Sequence, residues 1–242
     1  MFNKKLFIAT IVVSSMTFMP NINYPVINNI AHAESLYSLA IQKFNEGITL
    51  MQSDRNVGAL EKFSEAIQIN PNYEDAYFYR GLVNIIRIVE LRLPNSIWVG
   101  KAVSSIDQAI EDFNRVIKLN PNNFRAYFYR GVIYSELRDR QSAIMDYNKA
   151  IQLNPNYAEA YCEMAYDYYY LGNYQQSIND YNKAIQLNPN YAKAYFGRGV
   201  VYYRLRNHQQ GSADYNKAIS LDPSLSEYKG AYTLAWSAQD YE

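Results

Sequence analysis

The stretch AEAYCEMAYDYYYLGNYQQSINDYNKAIQLNPN, residues 158–190, decides the fold. It closes on Leu187-Asn188-Pro189, and nearly the same phrase stands at Ile69-Asn70-Pro71, Leu119-Asn120-Pro121, Leu153-Asn154-Pro155 and Leu221-Asp222-Pro223. From Pro121 to Pro223 the prolines are spaced 34 residues apart. Proline disfavours helix in the residue before it and tolerates the start of a new one, so each phrase reads as a helix end. Between two such ends, Tyr161, Met164, Ala165 and Tyr168 share one helical face and Ser177, Tyr181 and Ala184 another. Ala165 and Ala184 are small where two helices must approach closely.

The same frame places Tyr127, Gly131, Tyr134, Ala143, Tyr147, Ala150 and Pro155 in the preceding copy. It places Tyr195, Gly199, Tyr202, Gly211, Tyr215, Ala218 and Pro223 in the following one, and Gly47, Leu50, Ala59, Phe63, Ala66 and Pro71 in a more divergent N-terminal copy. With its 34-residue period, this pattern resembles the tetratricopeptide family, whose unit is a helix, a short turn and a second helix. The resemblance implies an all-α fold, a right-handed superhelical stack of about five units plus a C-terminal capping helix. The expected division is a repeat domain over 34–242 with units at 40–73, 74–123, 124–157, 158–191 and 192–225, and a cap at 226–242 that carries Tyr228, Ala231, Tyr232 and Ala235 on one edge.

One interval breaks the period, because Pro71 and Pro121 are 50 residues apart, 16 more than a unit. Leu82, Ile85, Ile86, Val89 and Leu93 keep helical spacing past the normal end of the first helix, and Val99, Val103, Ile106, Ile110 and Phe113 keep it ahead of the second. The hairpin is therefore expected to be longer by roughly 12 Å at 1.5 Å per residue, turning near Leu93-Pro94-Asn95-Ser96. Ile88, Leu91, Ile97 and Trp98 would sit on this projection, as a docking hairpin for a partner or a membrane interface, since exposed Trp beside aliphatics is costly unless covered.

In tetratricopeptide proteins the first helices line a concave groove, and by resemblance the fifth and ninth positions of each unit face it. Here these are Phe44 and Ile48, Phe78 and Leu82, Phe128 and Val132, Cys162 and Tyr166, Phe196 and Val200. The expectation is an apolar peptide-binding groove with affinity on the order of micromolar. The Lys, Asn and Arg clamp with which some members hold a C-terminal carboxylate is absent from these positions.

The chain has 242 residues, with 49% hydrophobic and 19% charged side chains, which argues for a packed fold over a disordered one. Its formal charge is zero, and the part after residue 33 carries 21 basic against 23 acidic groups. Nucleic acid, which needs a basic surplus, is not expected as a partner. Met1-Phe2-Asn3-Lys4-Lys5, the apolar run from Leu6 toward Met19, and Ala31-His32-Ala33 follow the order of a secretory signal peptide over residues 1–33. The expected location is extracytoplasmic: periplasmic, lumenal or secreted, with an uncleaved N-terminal anchor as the lesser reading.

Beyond that leader the sequence holds one histidine, His208, and one cysteine, Cys162, so neither a zinc set nor a charge-relay triad is indicated. No catalytic residues, cofactor or metal are expected. The 25 tyrosines are assigned mainly to packing, because they recur in register. Arg80, Arg130 and Arg198 recur on first helices and Asp112, Asp146, Asp180 and Asp214 on second helices. A half-buried arginine needs a carboxylate, so these are expected to be structural pairs. The function expected is a protein-interaction module holding a client segment, as an assembly factor or adaptor. The alternative is a scaffold that uses the long hairpin and end faces for self-association or membrane attachment.

Overall fold

The computed structural model describes residues 31–91 and 100–228. Among them are ten α-helices and no strand: α1 (Ala31–Gln52), α2 (Asn56–Ile69), α3 (Glu74–Leu91), α4 (Gly100–Leu119), α5 (Phe124–Glu136), α6 (Arg140–Leu153), α7 (Ala158–Tyr170), α8 (Tyr174–Leu187), α9 (Ala192–Arg204) and α10 (His208–Leu221). A 3₁₀ turn, Pro223–Tyr228, follows α10. The all-α repeat architecture expected from the period is what is found. The helices form two compact units, one ending at Tyr129 and one starting at Arg130, within α5. In the first, α1 to α4 pack in chain order; in the second, α6 to α10 do.

The Asn-Pro-Asn phrase has a defined job. Asn70, Asn154 and Asn188 leave the helix in extended geometry, and each side-chain oxygen accepts from the backbone N–H two residues on, at 3.1, 3.2 and 3.1 Å. Asn120 and Asp222 do the same, both at 3.1 Å. The side chain supplies the turn's hydrogen bond while proline forbids the helix from continuing. Within a unit the two helices are joined by a tighter device. Asp54, Arg138, Gly172 and Arg206 occupy the same position of four units, and all have positive φ, at 58°, 64°, 77° and 61°. The next residue's N–H then reaches back five residues, as in Asn173 to Tyr168 and Asn207 to Tyr202, both 2.9 Å.

Aromatic side chains on the second helices fill the space between partners. Phe63, Phe113 and Tyr147 have no exposed surface, each contributing about 2–3 kcal/mol by burial. Phe63 and Phe113 press on glycines: a Cβ built at Gly47 would lie 2.6 Å from the Phe63 ring, and one at Gly81 2.9 Å from the Phe113 ring. Close backbone approach, rather than turn geometry, is what these two glycines provide.

The long hairpin is present in its arms. α3 and α4 run 18 and 20 residues, against 13 or 14 for α5 to α10. Ile97, Trp98 and the tip at 93–96 lie outside the described residues, as does the side chain of Leu91. Ile88 corrects the expectation of an exposed projection, being only 8% exposed. It follows Leu82 and Ile85 at three-residue spacing, both also buried, so it continues the apolar stripe that the longer arms cover. At the other end, Leu225 of the 3₁₀ turn is buried against Phe196 and Ala218. The remainder of the expected cap, 229–242, lies outside the described residues. Among the described residues no helix is long and apolar enough to cross a membrane.

Candidate binding surfaces

The fifth-position residues Phe44, Phe78, Phe128, Cys162 and Phe196 are all buried, between 0 and 5% exposed. They do not line an open groove, which corrects the sequence expectation. Phe44 shows why: its ring lies 5.7 Å from Phe63 of its own unit and 5.5 Å from Tyr79 of the next. Phe78 repeats the arrangement, 5.9 Å from Phe113 and 5.7 Å from Tyr129. The residue after each fifth position, when it is tyrosine, wedges against the preceding unit and seals that side of the first helix. Of the ninth positions, Leu82 is also buried, while Ile48, Val132, Tyr166 and Val200 are half-buried. Cys162 sits in a cluster with Ala165, Ile178, Tyr181 and Val201; burial pushes its thiol up to about 12, so it is not a thiolate nucleophile at neutral pH.

The unit from Arg130 onward carries a polar site that this expectation missed. On α7, Asp167 is fully buried, and Ser135 of α5 donates to its Oδ1 at 2.8 Å. Arg140, at the start of α6, pairs with the same oxygen. The Arg140 guanidinium also lies 4.2 Å from the ring centre of Tyr170 and 5.7 Å from that of Tyr166. Those two rings are 4.7 Å apart, edge to face. Tyr170 is 54% exposed, which leaves an aromatic ledge with a fixed cation beside it. Beside it Lys193 of α9 pairs with the buried Glu163. Burial raises the Asp167 carboxyl to about 6, against the lowering effect of Ser135 and Arg140, and its Oδ2 is buried with no hydrogen-bond partner among the described residues.

A column-by-column comparison of the units would have exposed this site. The tenth position reads Thr49, Val83, Ile133 and Val201 elsewhere, and only in this unit is it a carboxylate. The surface offers hydrogen-bond donors of an anchored guanidinium next to an apolar, rotationally stiff face, a combination suited to a peptide carbonyl or carboxylate beside an apolar side chain.

The expected Arg–Asp pairs form on the other side of the first helices. Arg130 donates to Asp146 through Nε and Nη2 at 2.8 and 2.7 Å, Arg198 to Asp214 at 2.7 and 2.7 Å, and Arg80 to Asp112 at 3.0 and 2.7 Å. Two of the pairs are 16 residues apart, and the one that spans the extension is 32 apart. In the N-terminal unit the corresponding positions hold Glu46 and Lys62, the same pairing with its charges exchanged, at 3.5 Å.

Helix pairs of constant length from α5 onward, repeated turn geometry and an ion pair repeated in register define an α-helical repeat protein. Part of the chain matches tetratricopeptide models: one described as "TPR repeat" matches residues 104–137 and 165–205, and one described as "Tetratricopeptide repeat" matches 124–157 and 192–225. No curated protein matches the sequence significantly. Several solved structures share the fold. MamA residues 41–end from Desulfovibrio magneticus RS-1 is 19% identical, with 76% of this chain and 96% of that one covered and a TM-score of 0.63. YrrB, described as a TPR protein with an unusual peptide-binding site, is 18% identical over 87% of this chain and 98% of its own, TM-score 0.60. TTC0263, a thermophilic TPR protein of Thermus thermophilus, is 17% identical over 81% and 98%, TM-score 0.60.

Proposed function

We propose that the protein is a non-catalytic interaction module that binds an extended segment of a client protein over α7 and its neighbours, at Arg140, Tyr166, Tyr170 and Lys193. The observation that carries this reading is the ledge formed by exposed Tyr170 and half-buried Tyr166, with Arg140 held over it by a buried carboxylate. An exposed aromatic ring beside a second, half-buried one is a surface that a partner can cover, and tyrosine and arginine are the residues on which interface energy concentrates. The TPR fold and the peptide-binding relative YrrB support the same class of partner. A photo-crosslinking amino acid at Tyr170 is expected to capture a discrete client in cells. The same label at Met145, 71% exposed on α6, serves as the reference, and equal capture from both positions defeats the reading.

The leader-like order of residues 1–33 supports an activity outside the cytosol, where an assembly factor or adaptor would meet secreted or envelope clients. Mass spectrometry of the protein purified from its native host is expected to find Glu34 as the N-terminal residue. Recovery of the intact N-terminus in a soluble cytosolic fraction contradicts that location.

A further inference from the structure

The unit at 158–191 keeps every part of the Arg–Asp arrangement except its arginine. Asp180 stands where Asp146 and Asp214 stand, and Gln176 donates to its Oδ1 at 3.0 Å, as Gln108 does to Asp112 at 3.2 Å. The position that holds Arg80, Arg130 and Arg198 in other units is Met164. Asp180 is 6% exposed, and its Oδ2 is buried with no hydrogen-bond partner among the described residues. A buried carboxylate oxygen without a donor is costly, so a sequence that keeps the acid while losing the base needs an account.

The neighbouring unit shows what the same positions hold when the arginine is present. Arg198 lies between two tyrosines, 5.5 Å from the Tyr195 ring centre and 5.9 Å from that of Tyr202. Its Nε and Nη2 engage Asp214, and its Nη1 donates to Asn182 Oδ1 of the preceding unit at 2.5 Å. Arg80 has the same third contact, to Ser64 at 3.0 Å. Shifted by one repeat, the two rings are Tyr161 and Tyr168, both half-buried, and the third acceptor is Asn148, which is exposed. The negative charge of Asp180 reaches both rings, where it adds to the rise that burial imposes on the phenols.

We propose that Tyr161, Tyr168 and Asp180, with Asn148 at the rim, form a binding site for the guanidinium of an arginine on a partner protein, which completes in trans the pair that other units make in cis. Guanidinium fits because the carboxylate offers a bidentate edge and the rings offer faces, which the compact ammonium of lysine uses less well. Met164, unbranched, flexible and buried at the position that the arginine takes in other units, is the side chain expected to turn aside for the guanidinium. Tyr161 and Tyr168 lie seven residues apart, on a different face of α7 from Tyr166 and Tyr170. The site therefore goes beyond the client surface proposed above and fails or stands separately from it.

The test uses the full chain and NMR titration with a capped pentapeptide, Gly-Ala-Arg-Ala-Gly, and with its citrulline counterpart, which keeps the shape and loses the charge. The arginine peptide is expected to bind at least tenfold more tightly than the citrulline peptide and to shift the resonances of Tyr161 and Tyr168. Asp180→Asn should remove that preference, and Met164→Ala should strengthen binding by opening the entry. Met164→Arg should abolish binding while raising the unfolding midpoint, because the arginine then sits in its own pocket. Equal binding of the two peptides, no binding of either at millimolar concentration, or undiminished binding by a folded Asp180→Asn or Met164→Arg variant overturns the proposal.

Discussion

At the scale of single residues, the turn inside each unit requires a left-handed backbone, and the sequence meets that demand unevenly. Gly172 adopts it without penalty, while Asp54, Arg138 and Arg206 carry side chains through the same geometry. A non-glycine residue there costs about 1–2 kcal/mol, part of which glycine returns through the greater freedom of its unfolded chain. Arg206 is exposed, so little else is lost with its side chain. Arg206→Gly is expected to stabilise the protein by about 0.5–1 kcal/mol, read from the midpoint of urea unfolding. Gly172→Ala, where a Cβ meets nothing within 4 Å, should destabilise by about 1 kcal/mol through backbone strain alone. If the two substitutions shift the midpoint in the same direction, the turn is not the controlling feature.

Between elements, the decisive contact is an aromatic ring on the second helix against the backbone of the first. At Gly81 the Phe113 ring leaves no room for a methyl group, and Phe113 is wholly buried between Phe78 and Tyr129, so it cannot retreat. Gly81→Ala is expected to cost about 1–3 kcal/mol by overpacking, despite the better helix propensity of alanine. A gain in the urea midpoint would show that the ring relaxes. Element by element, this level was legible in advance: prolines, small positions and aromatic positions share one period, and each marks a helix end or a close approach. The fifth positions were misread for a physical reason. Whether Phe44 or Phe78 faces a client or the next unit depends on Tyr79 and Tyr129, so no single copy of the pattern decides it. Asp167 escapes a reading by period, and Met164 passes in it as an ordinary member of the helical face, because a period is found by what repeats and these two residues matter by departing from it.

Across the molecule, the acids that matter are held in the unusual direction. Burial raises Asp112, and it raises Asp167 and Asp180 to about 6 each. Glu46 and Glu65 are lowered, by hydrogen bonds from Gln42 and Lys62 respectively, but their side chains are 36 and 38% exposed to solvent. For a raised carboxyl the folded state holds its proton more tightly than the unfolded state does. Between about pH 4 and 6 the unfolded chain therefore binds fewer protons, and stability falls as pH rises through that window. The loss is half done near pH 6 and complete about a unit above it, once both groups are charged. Discounted for the solvent that reaches these sites, the fall is on the order of 1–2 kcal/mol. The urea midpoint is accordingly expected to be higher at pH 5 than at pH 7.5, opposite to a protein whose carboxylates are stabilised by their pairs. Asp180→Asn should raise the midpoint at pH 7.5 more than at pH 5 and so flatten the profile, leaving the part owed to Asp167. A midpoint that stays level or climbs from pH 5 to 7.5 would mean that Arg140 compensates Asp167 fully and that Asp180 finds a donor in solution.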